Sequence, residues 1–152
     1  MEKEEARKIV INFIEEAKEL YVDAVNRLLV QLSSSPVEFC RDSLVAIVDS
    51  PSSHLFFAEC DGVIVGMLTV GEYLAPTGRK MWVEDVVVDE AMRGRSIGRM
   101  LVDRAIAYSK KYGKGTLMLT SRPSRVAANR LYRSCGFEPK ETNMYRMPLG
   151  NE

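Results

Sequence analysis

The chain has 152 residues, 46% of them hydrophobic and 28% charged, which are globular values. Lysines and arginines number 21, as do aspartates and glutamates, so charge offers no general case for nucleic acid or an anionic membrane as partner. No apolar run approaches the ~20 residues of a membrane span.

One domain over 1–152 is the simplest organisation, long enough to bury roughly 70% of its unfolded surface. No internal repeat or linker interrupts it. The acidic start Met1-Glu2-Lys3-Glu4-Glu5 does not read as a secretory signal. Cys40, Cys60 and Cys135 are far apart and form no metal-like pair, so reduced thiols of a cytoplasmic protein and no metal are expected.

Lys8 to Ile11 reads as a short strand. Asn12 and Glu15 then resemble a capping box, and Ile14, Ala17, Tyr21, Ala24, Val25 and Leu28 recur at helical spacing to about Gln31. A second helix starts at Ser35 as N-cap, with Pro36 in its first position and Glu38 three residues after the cap. Val37, Cys40, Leu44 and Ile47 form its apolar stripe. Strand-like runs Leu55–Cys60 and Val63–Val70 flank Asp61-Gly62, a strong hairpin signal. Tyr73 to Arg79 reads as a loop.

The stretch Met81 to Leu101 organises the rest. Trp82 to Val88 has strand composition, and Val86-Val87-Val88 suggests burial on both faces. Asp89 to Arg93 breaks the pattern; Ile97, Met100, Leu101, Ala105 and Tyr108 then follow at helical spacing. Arg93, Gly94, Arg95, Ser96, Ile97, Gly98 and Arg99 therefore lie where a strand hands over to a helix N-terminus. Unpaired amides, a positive helix dipole and arginines there suit a phosphate or pyrophosphate. The plainer alternative is an ordinary connection with solvated arginines. A P-loop ending is missing, and only Gly94 and Gly98 stand where a dinucleotide fingerprint needs three glycines.

Thr116 to Thr120 is a further strand. Ser121 to Ser124 is a turn, Ser124 caps a short helix to about Ser134, and Gly136 stops it. Phe137 and Met144 to Met147 read as last strands. This order indicates an α/β or α+β domain with a mixed sheet.

Arg93-x-x-Ser96-x-Gly98 after Glu84-Asp85-Val86-Val87-Val88 resembles the acetyl-CoA motif of the GNAT acetyltransferase superfamily, Gln/Arg-x-x-Gly-x-Gly/Ala. Asn129-x-x-Tyr132-x-x-x-Gly136-Phe137 resembles its second motif, with one spacer residue fewer before the tyrosine. Ser96 stands where the family usually has glycine, and reads as an N-cap whose hydroxyl can donate to phosphate. The resemblance implies a mixed, mostly antiparallel sheet of about six or seven strands flanked by helices. It implies a splayed parallel strand pair that holds CoA, with pantetheine against the backbone of Val86, Val87 and Val88. It also turns Asn129 and Tyr132 toward that arm and its sulfur.

Acetyl transfer to an amine needs a base, since an ammonium of pKa about 10.4 is not nucleophilic. Glu84 is the candidate base; the alternative is pairing with an arginine, or a role for Asp85 instead. By period two Glu84 shares a face with Trp82, Val86 and Val88. Tyr132 is the candidate acid, or else a packed core tyrosine. Backbone N–H near Val86 is the oxyanion donor that the resemblance implies. Cys135 reads as a buried thiol, with no base beside it. His54, the one histidine, reads as a loop or strand-edge residue. Trp82 and Tyr73 suit an acceptor wall or a core equally. The expected activity is direct transfer from acetyl-CoA, in a ternary complex, to a primary amine of a small molecule. Glu84 and Asp85 would hold the cationic acceptor. The alternatives are a protein lysine or N-terminal acetyltransferase, and a non-catalytic acyl-CoA-binding module. A homodimer is compatible with the sequence.

Overall fold

The structure, a computed structural model, describes residues 8–150. Its elements are β1 (Ile9–Phe13), α1 (Glu19–Leu32), α2 (Arg41–Asp49), β2 (Ser53–Cys60), β3 (Val63–Ala75), β4 (Gly78–Val88), a 3-10 turn (Glu90–Met92), α3 (Ile97–Lys111), β5 (Thr116–Met118) and α4 (Val126–Ser134). The chain divides after Thr120 into two compact units.

In the first unit the strands lie in chain order, β1 to β5. Asp61 and Gly62 both take positive φ, 50° and 78°, as a two-residue hairpin turn requires, and β2 pairs antiparallel with β3. β3 and β4 form a second, longer hairpin from Gly66 to Val88. The Tyr73–Arg79 segment is therefore paired strand over most of its length and not a loop. Only Pro76 and Thr77 turn, and Gly78 takes φ 122°. β5 is parallel to β4 through Lys80–Thr116, Met81–Leu117 and Trp82–Met118.

Cross-strand partners share a face, so the register assigns the two cores. The row Phe57–Met67–Val87 belongs to one cluster with Val22, Val25, Leu28 and Leu44 of α1 and α2. Phe56, Leu68, Val70 and Val83 lie on the opposite face, where α3 packs with buried Leu101, Val102 and Ala105. Gly66 lets α3 approach: a Cβ there would lie 3.1 Å from the Val87 carbonyl and 3.2 Å from Leu101 Cδ1.

Both early helices begin later than their sequence signals. Asn12 is in β1, and α1 starts after Lys18 with no side-chain cap. α2 starts after Cys40 instead of Ser35. The Asn26 side chain explains the second shift. It accepts from the Phe39 N–H at 3.0 Å and donates to the Phe39 carbonyl at 2.8 Å, which holds that backbone outside the helix. Val37 and Cys40 consequently stand exposed, outside the apolar stripe.

In the second unit, α4 ends in a complete Schellman motif. Phe137 N–H donates to the Tyr132 carbonyl at 3.1 Å and Gly136 N–H to the Arg133 carbonyl at 3.0 Å, with Gly136 at φ 102°. The rings of Tyr132 and Phe137 meet edge to face, 6.2 Å apart, as the hydrophobic contact of that motif. Arg125, not Ser124, precedes the first helical residue. Five strands stand among the described residues, fewer than the six or seven expected. Residues 137 and 144–147 are irregular, because a strand needs a ladder and none pairs with them there; Tyr145 is 86% exposed.

Candidate active site

The β4–β5 ladder stops at Trp82 and Met118. From Val83 to Val88, β4 keeps β3 on one side, and among the described residues no strand pairs with its other edge. Alternate N–H and C=O groups of Val86, Val87 and Val88 are thus left to another partner. This is the parallel strand pair expected to hold CoA, joined at one end and open at the other.

A bulge lies in the open part. Thr69 pairs with Glu84 and Met67 with Val87, so two residues of β4, Asp85 and Val86, oppose Leu68 alone. Asp85 takes φ 51°. The bulge breaks the alternation on which the face assignment rested. Glu84 shares the α1–α2 face with Trp82, but past the bulge Val87 joins that face, not Val86 or Val88. Of the valine run only Val87 is fully buried.

Glu84 and Asp85 are both solvent-exposed. Partial enclosure of the Glu84 carboxyl, reinforced by the neighbouring Asp85 charge, raises its pKa above the usual carboxylate value. Glu84 shows no arginine salt bridge among the described residues.

β4 leads through Asp89 and the 3-10 turn into the basic loop. The Asp89 side chain caps that turn, accepting from Ala91 N–H at 3.1 Å. Arg93, Gly94, Arg95 and Ser96 are exposed, while Ile97 anchors the start of α3 in the core. Gly94 has φ 79° and Ser96 φ 61°. Ser96 stands at the N-cap position of α3, as its sequence reading has it, but its side chain makes no capping bond. The residue holds the left-handed conformation that glycine adopts easily, at a cost of ~1 kcal/mol or more. The first helical bond of α3 runs from Met100 N–H to the Ser96 carbonyl, 3.0 Å, so the amides of Ile97 and Gly98 have no intrahelical acceptor. Arg93 lies 4.0 Å from Glu90 and Arg99 3.7 Å from Asp103, both exposed pairs worth little in water. The donor set of amides at a helix start, exposed guanidinium groups and two left-handed residues suits a phosphate group. Asp61 apart, the non-glycine residues with positive φ among the described residues are Asp85 and Ser96, so this strain concentrates at the candidate site.

Asn129 and Tyr132 sit one turn apart on α4. The Asn129 amide donates to the carbonyls of Arg122, 2.9 Å, and Arg125, 2.8 Å, and so ties the preceding loop to the helix. Tyr132 is 7% exposed; burial pushes its phenol pKa up, the Arg125 charge opposes this and Cys135 adds to it. The phenol is therefore protonated at neutral pH.

His54 departs most from its sequence reading. It is buried within β2, with Nε2 2.7 Å from Glu72 Oε1 and Nδ1 3.0 Å from the Tyr108 hydroxyl. Its partner Glu72, and Arg79 beyond it, lie just before and at the end of the segment that reads as a loop, Tyr73 to Arg79. Tyr73, 53% exposed, is no core residue, and Trp82 is half-buried.

The sequence profile of the acetyltransferase (GNAT) family matches residues 14–137. Glucosamine 6-phosphate N-acetyltransferase 1 of Oryza sativa subsp. japonica is 29% identical over 126 residues, 77% of this chain and 74% of that protein. Aminoglycoside N(6')-acetyltransferase type 1 of Stenotrophomonas maltophilia is 29% identical over 126 residues, 77% of this chain and 78% of its own. Among solved structures, aminoglycoside N-acetyltransferase AAC(6')-Iy in complex with CoA superposes with a TM-score of 0.75 at 16% identity, covering 96% of this chain and 98% of that one. Profile, relatives and fold agree: the chain belongs to the GNAT family of acetyltransferases, enzymes of the N-acyltransferase class.

Proposed function

We propose that the 152 residues act as one acetyltransferase domain, transferring an acetyl group from acetyl-CoA to a primary amine of a small molecule. The observation that carries this reading is the unpaired edge of β4 beyond Trp82, continuous with the left-handed, arginine-bearing start of α3. The family match, which runs through both units, supports the single domain. The names of the two relatives above, which act on an amino sugar phosphate and on aminoglycosides, support a small acceptor.

Bound acetyl-CoA supplies the acetyl group as a thioester. Arg93, Arg95 and Arg99, with the amides of Gly94 to Gly98, hold its phosphates. The backbone of Val86 to Val88 pairs with the pantetheine arm, and an N–H near Val86 donates to the carbonyl oxygen as charge builds there. Glu84 and Asp85 hold the cationic acceptor. Glu84 takes the ammonium proton, which its raised pKa favours. The amine nitrogen then attacks the acetyl carbon directly in the ternary complex. The C–N bond forms, the C–S bond breaks, and the Tyr132 hydroxyl gives a hydrogen bond or proton to the departing sulfur. Asn129 fixes the loop before α4.

The test is CoA release with a panel of amino sugars, polyamines, peptides and proteins. Release with a small amine, lost roughly ten- to thousand-fold in Tyr132→Phe with unchanged CoA affinity, is expected. Release with peptides or proteins alone would transfer the reading to a protein acetyltransferase. CoA binding without turnover of any amine would leave a non-catalytic module.

A further inference from the structure

The closed end of the β4–β5 pair carries a part-buried polar knot around buried His54 that the chemistry above does not use. Glu72 of β3 lies between two partners. Its Oε1 accepts from His54 Nε2 at 2.7 Å, and its Oε2 accepts from Arg79 Nε and Nη2 at 3.1 and 3.0 Å. A carboxylate only accepts, so Nε2 carries a proton, and Nδ1 lies 3.0 Å from the Tyr108 hydroxyl of α3. The Arg79 side chain, 12% exposed, also donates through Nη1 to the Ser109 carbonyl of α3 at 3.1 Å.

Arg79 immediately precedes Lys80, the first β4 residue to pair with β5. Four residues, Tyr112 to Gly115, join the end of α3 to β5. Gly115 packs on Arg79 itself: a Cβ at Gly115 would lie 3.0 Å from the Arg79 carbonyl oxygen and 3.4 Å from Arg79 Cβ. One side chain thus touches the strand that bears the open edge and the last turn of the helix that begins at the basic loop. Its backbone supports the lead-in to β5. The four-residue connection carries the end of α3 directly into β5.

We propose that Arg79, held in place by Glu72 and His54, is a positioning residue of the acyl-donor cleft. By pinning the last turn of α3 to the start of β4 it sets where β5 leaves β4, and hence the opening beyond Trp82. This rests on the reading of that opening as the CoA cleft.

The test compares wild type, Arg79→Met, Arg79→Lys and Glu72→Gln by amide hydrogen exchange without ligand and by CoA titration. In Arg79→Met, exchange at Leu117 and Met118 should rise roughly tenfold while Phe56 and Phe57 of β2 stay unchanged, and CoA affinity should fall by a similar factor, about the loss of one charge-assisted hydrogen bond. The kcat at saturating acetyl-CoA and the KM for amine should move less than about threefold, and Arg79→Lys should recover part of the affinity, because it keeps one charged donor. Exchange unchanged in β5, or raised equally in β2, would overturn the proposal. So would altered exchange with unaltered CoA affinity. If Arg79→Met does not fold, Glu72→Gln, which keeps the side-chain shape, is read by the same criteria. A wild type that ignores CoA while its β5 amides respond to Arg79→Met would overturn the cofactor reading itself, and with it the role assigned to Arg79.

Discussion

The two halves of β4 are built for different ends. From Gly78 to Trp82 the strand is paired on both sides, and Arg79 has a carboxylate and a carbonyl as partners. From Val83 to Val88 it has one neighbouring strand among the described residues, a bulge, a left-handed aspartate and two adjacent like charges. Two glutamates on the paired strands show the contrast. For Glu72, burial pushes the pKa up, but hydrogen bonds and charge from His54 and Arg79 outweigh it and hold the carboxyl below its usual value. For Glu84, burial and Asp85 act in the same direction and the pKa rises. A carboxylate with partners stabilises the fold; one without them remains available to take a proton.

The largest expected effect follows at the open half. Glu84→Gln should lower kcat/KM by about 10²–10⁴-fold, with partial recovery at alkaline pH as the free amine deprotonates. Because the folded pKa of Glu84 is raised, ionising it disfavours the folded state as pH rises through that pKa. The glutamine variant should therefore melt no lower than wild type at neutral pH. Wild-type activity should fall in acid with a midpoint above the ordinary glutamate value of about 4.3, and the variant should lack that limb. Full activity in Glu84→Gln together with a dead Asp85→Asn would assign the base to the wrong carboxylate.

At the closed half the same residue type should behave in reverse. Glu72→Ala should cost about 1–3 kcal/mol of stability, since it removes the acceptor of buried His54 Nε2 and of two part-buried Arg79 donors. The sign with pH is opposite as well. The Glu72 contribution is fully present above the unfolded glutamate pKa and is lost as pH falls through the lower folded value. The gap between wild type and variant in urea unfolding should thus close in acid. A constant gap from neutral to strongly acidic pH would show that packing, not the ion pair, holds this end.

The smallest effect should come from the basic loop. Ser96→Gly should leave CoA affinity intact and raise stability by at most ~1 kcal/mol, because the greater freedom of glycine in the unfolded chain offsets part of the relieved left-handed strain. A clear loss of stability would mean that the serine side chain supports the loop in a way its conformation does not show.

The open half was largely legible in the sequence and the closed half was not. Val-rich strand, arginine loop and helix follow one another within Met81 to Leu101, so local pattern was enough to find them. The hairpin at Asp61-Gly62 was equally local. His54, Glu72 and Arg79 meet only through the register of three strands, and Pro76 and Gly78 made their shared hairpin read as a loop. The bulge at Asp85 left no signal, because nothing in Glu-Asp-Val marks an aspartate for positive φ. Ser35-Pro36 offered a sound helix start that lost to the tertiary bonds of Asn26 with Phe39. The final strands failed for a related reason: Met144 to Met147 have the composition but no ladder partner among the described residues.

The central claim is that the open edge of β4 and the Arg93–Gly98 loop together bind CoA, the loop through its phosphates. Thermal melting with CoA and with pantetheine, which lacks those phosphates, tests it most directly. At 100 times its dissociation constant a ligand stabilises by about 2.7 kcal/mol, so CoA should raise the melting temperature by roughly 5–10 °C and pantetheine by far less. Equal shifts from the two ligands, or none from CoA, would contradict the account.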